Sequence, residues 1–136
     1  TTMAYWLLKT EPSTYSLDDL QREKKAVWDG VSNSLALKHI RDMKKGDSAF
    51  IYHSGEQKAI VGIAEIVSDP HPDPKQNDPK LVVMELRFAE RLKQPVTLAA
   101  IKARREFGDF ALVRMSRLSV MPVTAAQWKM LLAMSQ

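Results

Sequence analysis

Ser48-Ala49-Phe50-Ile51-Tyr52-His53 and Ala59-Ile60-Val61-Gly62-Ile63-Ala64-Glu65-Ile66-Val67 are two β runs separated by the polar loop Ser54-Gly55-Glu56-Gln57. Both are rich in β-branched, aromatic and other apolar residues, which suits strands packed within a sheet. Gly62 interrupts the second run. A glycine inside a strand marks a bulge or a close approach of another segment. Upstream, Ala4-Tyr5-Trp6-Leu7-Leu8-Lys9 reads as a first strand broken by Glu11-Pro12-Ser13, and Ala26-Val27-Trp28 reads as extended. Downstream, Leu81 to Phe88 alternates as a strand, and residues 114–120 read as a loop entering a final strand. Pro70, Pro72, Pro74 and Pro79 make the stretch 69–79 a loop.

Helices fall between these runs. Ser16-Leu17-Asp18-Asp19-Leu20 begins with a capping box, Ser16 as N-cap and Asp19 three residues on. Asn33 is a good N-cap for a second helix, whose Ala36, Ile40 and Met43 give a buried stripe. Thr97 opens a short helix to Lys102, and Thr124 with Gln127 makes a capping box before Trp128 to Met134. About five or six strands with short helices between them lack the repeated alternation of βαβ units. The fold class is therefore α+β, a mostly antiparallel, curled sheet flanked by short helices.

The 136 residues suit one domain with a sizeable core, residues 1–136, with Thr1 and Thr2 ahead of Met3 as an added remnant. Hydrophobic residues make up 45% and charged residues 26%, an ordinary globular balance. The net charge of +4 permits an anionic partner without demanding one. No cysteine is present, which excludes disulfides and thiolate metal sites and fits a reducing cytoplasm. No apolar run approaches the ~20 residues of a membrane helix, and no signal peptide is visible, so no membrane partner is expected. There is no phosphate-binding glycine loop and no nucleophile elbow. His39, His53 and His71 are not spaced as metal ligands. Neither metal nor cofactor is expected.

Val27-Trp28-Asp29-Gly30-Val31-Ser32-Asn33 is the candidate binding segment. A Trp on an irregular turn, with Asp and Asn beside it, suits a pocket that stacks a flat ring and hydrogen-bonds its edge. Asp29 and Asn33 have the groups to read the edge of a base; their alternative is capping. Tyr52, His53 and Ser54 end a strand, where either Tyr52 or His53 faces a ligand. Lys9, Thr10 and Glu11 end the first strand in a comparable way. Lys38, Arg41 and Lys45 form a basic row, with a solvated helix face as the alternative. Arg114, Ser116 and Arg117 read as phosphate or pocket-edge groups.

Tyr5-Trp6-Leu7-Leu8-Lys9-Thr10-Glu11-Pro12-Ser13, Trp28-Asp29-Gly30-Val31, Met43-Lys44-Lys45-Gly46-Asp47 and Tyr52-His53-Ser54 resemble, in this order, the EVE domain family. Ile60 to Glu65, Asp69 to Pro74 and Leu112 to Val120 continue the resemblance, which covers residues 3–136. It implies a PUA-like β-barrel with flanking helices, related to YTH readers of methylated RNA. It also implies a pocket for a modified base, most often a modified cytosine in DNA, with RNA as the alternative polymer and with neither metal nor catalysis. The ligand-binding set is then Trp28, Asp29, Val31, Asn33, Tyr52, His53, Ser54, Lys9, Glu11 and Ser116. The phosphate-binding set is Lys38, Arg41, Lys45, Arg114 and Arg117.

This chain departs from the family pattern at Ser32-Asn33-Ser34, where Arg-Asn-Tyr is usual. Leu37 stands where a basic residue is common, and Met115 and Met121 stand where Gln is common. A missing cation and ring imply a small phosphate contribution. An amidohydrolase of the related ASCH type is the enzymatic alternative, with Thr10 as nucleophile, Lys9 as base and Glu11 in support. Three consecutive strand residues do not share a face, which speaks against it. A reader without output of its own implies a separate effector protein.

Overall fold

The computed structural model describes residues 4–29, 31, 33–73, 75, 81–115 and 117–136. Strands β1 (Tyr5–Thr10), β2 (Lys25–Trp28), β3 (Ser48–His53), β4 (Ala59–Ile66), β5 (His71–Pro72), β6 (Val82–Thr97) and β7 (Val120–Val123) form a sheet in the order β2-β6-β4-β3-β1-β7, with β5 on β6. Among the described residues only β1 and β3 run parallel, Leu7 beside Phe50; the other ladders are antiparallel. The path ends at β2 and β7 without a ladder between them. The sheet is PUA-like, mixed and curled rather than a closed barrel.

Helices α1 (Leu17–Glu23), α2 (Ser34–Arg41), α3 (Leu98–Lys102), α4 (Ala111–Arg114) and α5 (Ala125–Met134) pack around it, with a 3-10 turn at Arg105–Phe107. The capping boxes stand where the sequence puts them: Ser16 accepts from the Asp19 N–H, and Thr124 accepts from the Gln127 N–H. Asn33 and Thr97 cap α2 and α3. No helix among the described residues is long and apolar enough to cross a membrane.

Directly paired residues share a face of a sheet. Leu8, Ile51 and Gly62 therefore line one face, and Leu7, Phe50 and Ile63 the other. Helix α5 covers the second face through Trp128, whose ring stacks 3.9 Å from Phe50 and 4.5 Å from Tyr5. Helix α1 covers the first face through Leu17, which lies against Gly62. With both faces covered, β3 and most of β4 are buried, which explains their continuous apolar sequence. Trp6 is also core: its indole N–H donates to buried Asp47 at 3.0 Å, and Asp47 further accepts from the Ala4 and Lys44 N–H groups.

The main difference from the sequence reading is β6, which runs on from Phe88 to Thr97. Ala89-Glu90-Arg91-Leu92-Lys93-Gln94-Pro95 is polar and contains a proline, so no alternation announces a strand. Pairing with β4 imposes the extended form, and the register slips between Gly62↔Arg91 and Ile60↔Val96. Long-range pairing outweighs local propensity here. The two-residue β5 lies inside the proline-rich loop and pairs His71 with Val83.

The seat of α1 on Gly62 has no room for a side chain. A Cβ at position 62 would lie 2.6 Å from Leu17 Cδ2 and 3.0 Å from the Glu90 carbonyl oxygen. Gly62→Ala is expected to cost about 1–3 kcal/mol of stability by overpacking, measured by urea unfolding. An unchanged midpoint would contradict the close seat.

Candidate functional site

The site grows out of the turn between β1 and α1. The Thr14 and Tyr15 N–H groups both donate to the Glu11 carbonyl at 2.9 Å, and Thr10 Oγ1 donates to the Tyr15 carbonyl at 2.6 Å. Glu11 Oε1 accepts from the Ser13 N–H and hydroxyl. This tight winding fixes Tyr15 immediately before the α1 cap. Its ring meets Trp28 edge-on, centroids 6.4 Å apart and planes at 82°. Its hydroxyl donates to Glu23 Oε1 at 2.7 Å. Burial first, and then the Glu23 carboxylate, push the Tyr15 phenol well up, so it stays protonated and keeps donating.

These two rings wall a cleft of about 800 Å³, within the size range of small-ligand sites. Lys9, Thr10, Glu11 and Asn33 lie around it with Asp29, Val31, Lys75 and Ser119, and the β2 residues Ala26 and Val27 complete one side. Trp28 is 9% exposed, so the indole is held in the fold while lining the cleft. Lys9 lies 5.7 Å from the centroid of the Tyr52 ring, and burial holds its ammonium below the ordinary value. Burial also pushes the Tyr52 phenol up. Among the described residues the lining carries three carboxylates, Glu11, Glu23 and Asp29, against two ammonium groups, Lys9 and Lys75. That balance disfavours a phosphate inside the cleft and favours a neutral ligand with N–H donors.

Of the residues expected at a ligand, Trp28, Asp29, Val31, Asn33, Lys9 and Glu11 come together here. Asn33 lines the cleft and takes the capping role. Its Oδ1 caps α2 by accepting from the Ala36 N–H at 3.0 Å, so the cap does not use the amide N–H groups. Tyr52, His53 and Ser54 do not line the cleft. Tyr52 is buried behind Lys9. Ser54 donates through its N–H and its hydroxyl to the Thr10 carbonyl. His53 is buried under α1, where Nε2 accepts from the Leu17 N–H at 3.0 Å and Nδ1 lies 2.8 Å from Gln57 Oε1. A backbone N–H only donates, so the proton of the neutral ring sits on Nδ1.

Ser116 lies outside the described residues. Arg114 and Arg117 line a second cleft of about 390 Å³ with Leu35, Met115 and Leu118, adjoining the first at Asn33. Lys38, Arg41 and Lys45 are exposed, but α2 ends at Arg41, so Lys45 is not on its face. Lys38 pairs with Asp42 at 3.3 Å. Tyr15, Glu23, Lys75 and Ser119 are lining residues the sequence reading missed. Tyr15 had one signal: it directly precedes a capping box, where the entry of the chain is fixed.

The EVE domain model matches residues 4–134. The chain belongs to the EVE domain family. Mouse thymocyte nuclear protein 1 is 33% identical over 97% of this chain and 74% of its own length. A solution structure from Rhodopseudomonas palustris is 47% identical, with a TM-score of 0.93 over 98% of this chain and 93% of that one. The crystal structure of the human thymocyte nuclear protein 1 in complex with 5-methylcytosine-containing DNA is 28% identical, with a TM-score of 0.88 over 98% of each chain. This EVE domain thus shares its fold with a relative solved on methylated DNA.

His53 is the support beneath this EVE domain's cleft, because it holds the first turn of α1. His53→Ala is expected to cost about 1–3 kcal/mol by leaving the Leu17 N–H unsatisfied. Hydrogen exchange at Leu17 is expected to accelerate, and nitrogen NMR of the native ring is expected to report the Nδ1–H form. An Nε2–H ring would contradict the assignment.

Proposed function

We propose that this EVE domain is a non-catalytic reader that takes a modified base of DNA, of the 5-methylcytosine class, into the Trp28 cleft. The observation that carries the reading is the corner made by Trp28 and Tyr15, with polar groups gathered at its rim. The human relative on 5-methylcytosine-containing DNA supports the choice of ligand. A base stacked in a duplex does not reach such a cleft, so the target nucleotide is flipped out. The Trp28 ring offers a stacking surface, worth about 1–3 kcal/mol per base. Asp29 accepts from the cytosine N4 amino group, and the Asn33 amide donates to a ring acceptor. Burying one methyl group contributes about 0.8 kcal/mol, roughly a fourfold preference over plain cytosine. Lys38, Arg41 and Lys45 attract the DNA backbone without specifying sequence.

An ASCH-type amidohydrolase finds less support in the geometry. The Thr10 hydroxyl proton is committed to the Tyr15 carbonyl and not to Lys9.

Titrations of methylated and unmethylated oligonucleotides at two salt concentrations test the reading. Trp28→Ala is expected to weaken binding of the methylated oligonucleotide by about 1–3 kcal/mol and to abolish the preference for it. Charge reversal at Lys38, Arg41 or Lys45 is expected to weaken both oligonucleotides alike and to flatten the salt dependence. A preference that survives in Trp28→Ala would overturn the mechanism.

A further inference from the structure

Resting on the reading of the first cleft as a base site, we infer that the second cleft binds the nucleotide adjoining the flipped base on the same DNA strand. The unit recognised is then a dinucleotide, with its bridging phosphate passing beside Asn33.

Three observations carry this. The first is continuity: Asn33 lines both clefts, so they adjoin at its side chain. The second is charge. The first cleft carries more carboxylates than ammonium groups, whereas the second carries Arg114 and Arg117 and, among its described lining residues, no carboxylate. The base and the phosphate of one strand are thereby sorted into neighbouring sites. Asp109 pairs with Arg114 at 3.3 Å, but both side chains are largely exposed, so a phosphate competes for this guanidinium. The third is the apolar floor. Leu35, Leu118 and Met115 line the cleft together with the guanidinium groups, and Met115 is 44% exposed. A large apolar side chain left open beside two cations suits the face of a base or deoxyribose attached to a phosphate. The polarisable, unbranched Met side chain adapts to different bases, so this contact carries little sequence preference.

NMR titration of methyl-labelled protein tests the inference, with 5-methyl-2′-deoxycytidine and the two dinucleotides that place thymidine 5′ or 3′ of it. The nucleoside is expected to shift the Trp28 indole signal and to leave the Met115 and Leu118 methyl signals in place. At least one dinucleotide is expected to shift both sets and to bind on the order of tenfold tighter. Met115→Glu, which puts a carboxylate on the exposed floor, is expected to remove that gain and leave nucleoside affinity as it was. The inference is overturned if both dinucleotides bind within about threefold of the nucleoside, or if the gain survives Met115→Glu. It is also overturned if the Met115 and Leu118 signals do not move. In each case a shifted Trp28 signal leaves the base site standing. If no probe moves the Trp28 indole, the base-site reading fails, and this inference fails with it.

Discussion

The packing of Leu17 against Gly62 sets the position of everything that lines the cleft. Because position 62 has no side chain, the first turn of α1 descends onto the sheet. The N–H of Leu17 then reaches His53 Nε2 on β3, and the Ser16–Asp19 box closes the turn. Tyr15 precedes that turn directly, so its ring has one direction to take, towards Trp28 at the end of β2. Two strand residues that do not line the cleft, Gly62 and His53, thus hold the helix that positions its Tyr15 wall. The cost of leaving the Leu17 N–H unpaired, about 1–3 kcal/mol, is comparable with the stacking free energy of a bound base.

Charge divides the surface by task. Carboxylates near the two rings favour a ligand that donates N–H groups and repel phosphate. Cations lie on α2, just beyond its end, and at and after the end of α4. Ser34, with no ring, opens α2. Trp28 and Tyr15 supply the aromatic surface that remains.

The helix starts were legible in the sequence because capping is local. Ser16 with Asp19, Asn33, Thr97, and Thr124 with Gln127 each act within one turn. The far half of β6 was not legible, since a polar run containing Pro95 becomes a strand only by pairing with β4. The same divide separates the site residues. Trp28, Asp29 and Asn33 were visible as a cluster along the chain. His53 carries no local mark that it lies under α1 and not in the cleft, because that depends on the register of β3 with β1 and β4. Tyr15 becomes a cleft wall only once α1 is seated on β4.

The central claim is that one base leaves the duplex and lies against Trp28. Intermolecular NOE measurement on a duplex carrying a single carbon-13-labelled 5-methylcytosine tests it most directly. The account predicts NOEs from the 5-methyl protons to the Trp28 indole or the Tyr15 ring, together with loss of the NOEs from that methyl to its neighbouring base pairs. A methyl group that keeps its duplex NOEs in the complex, or that reports protein protons only outside this cleft, would contradict it.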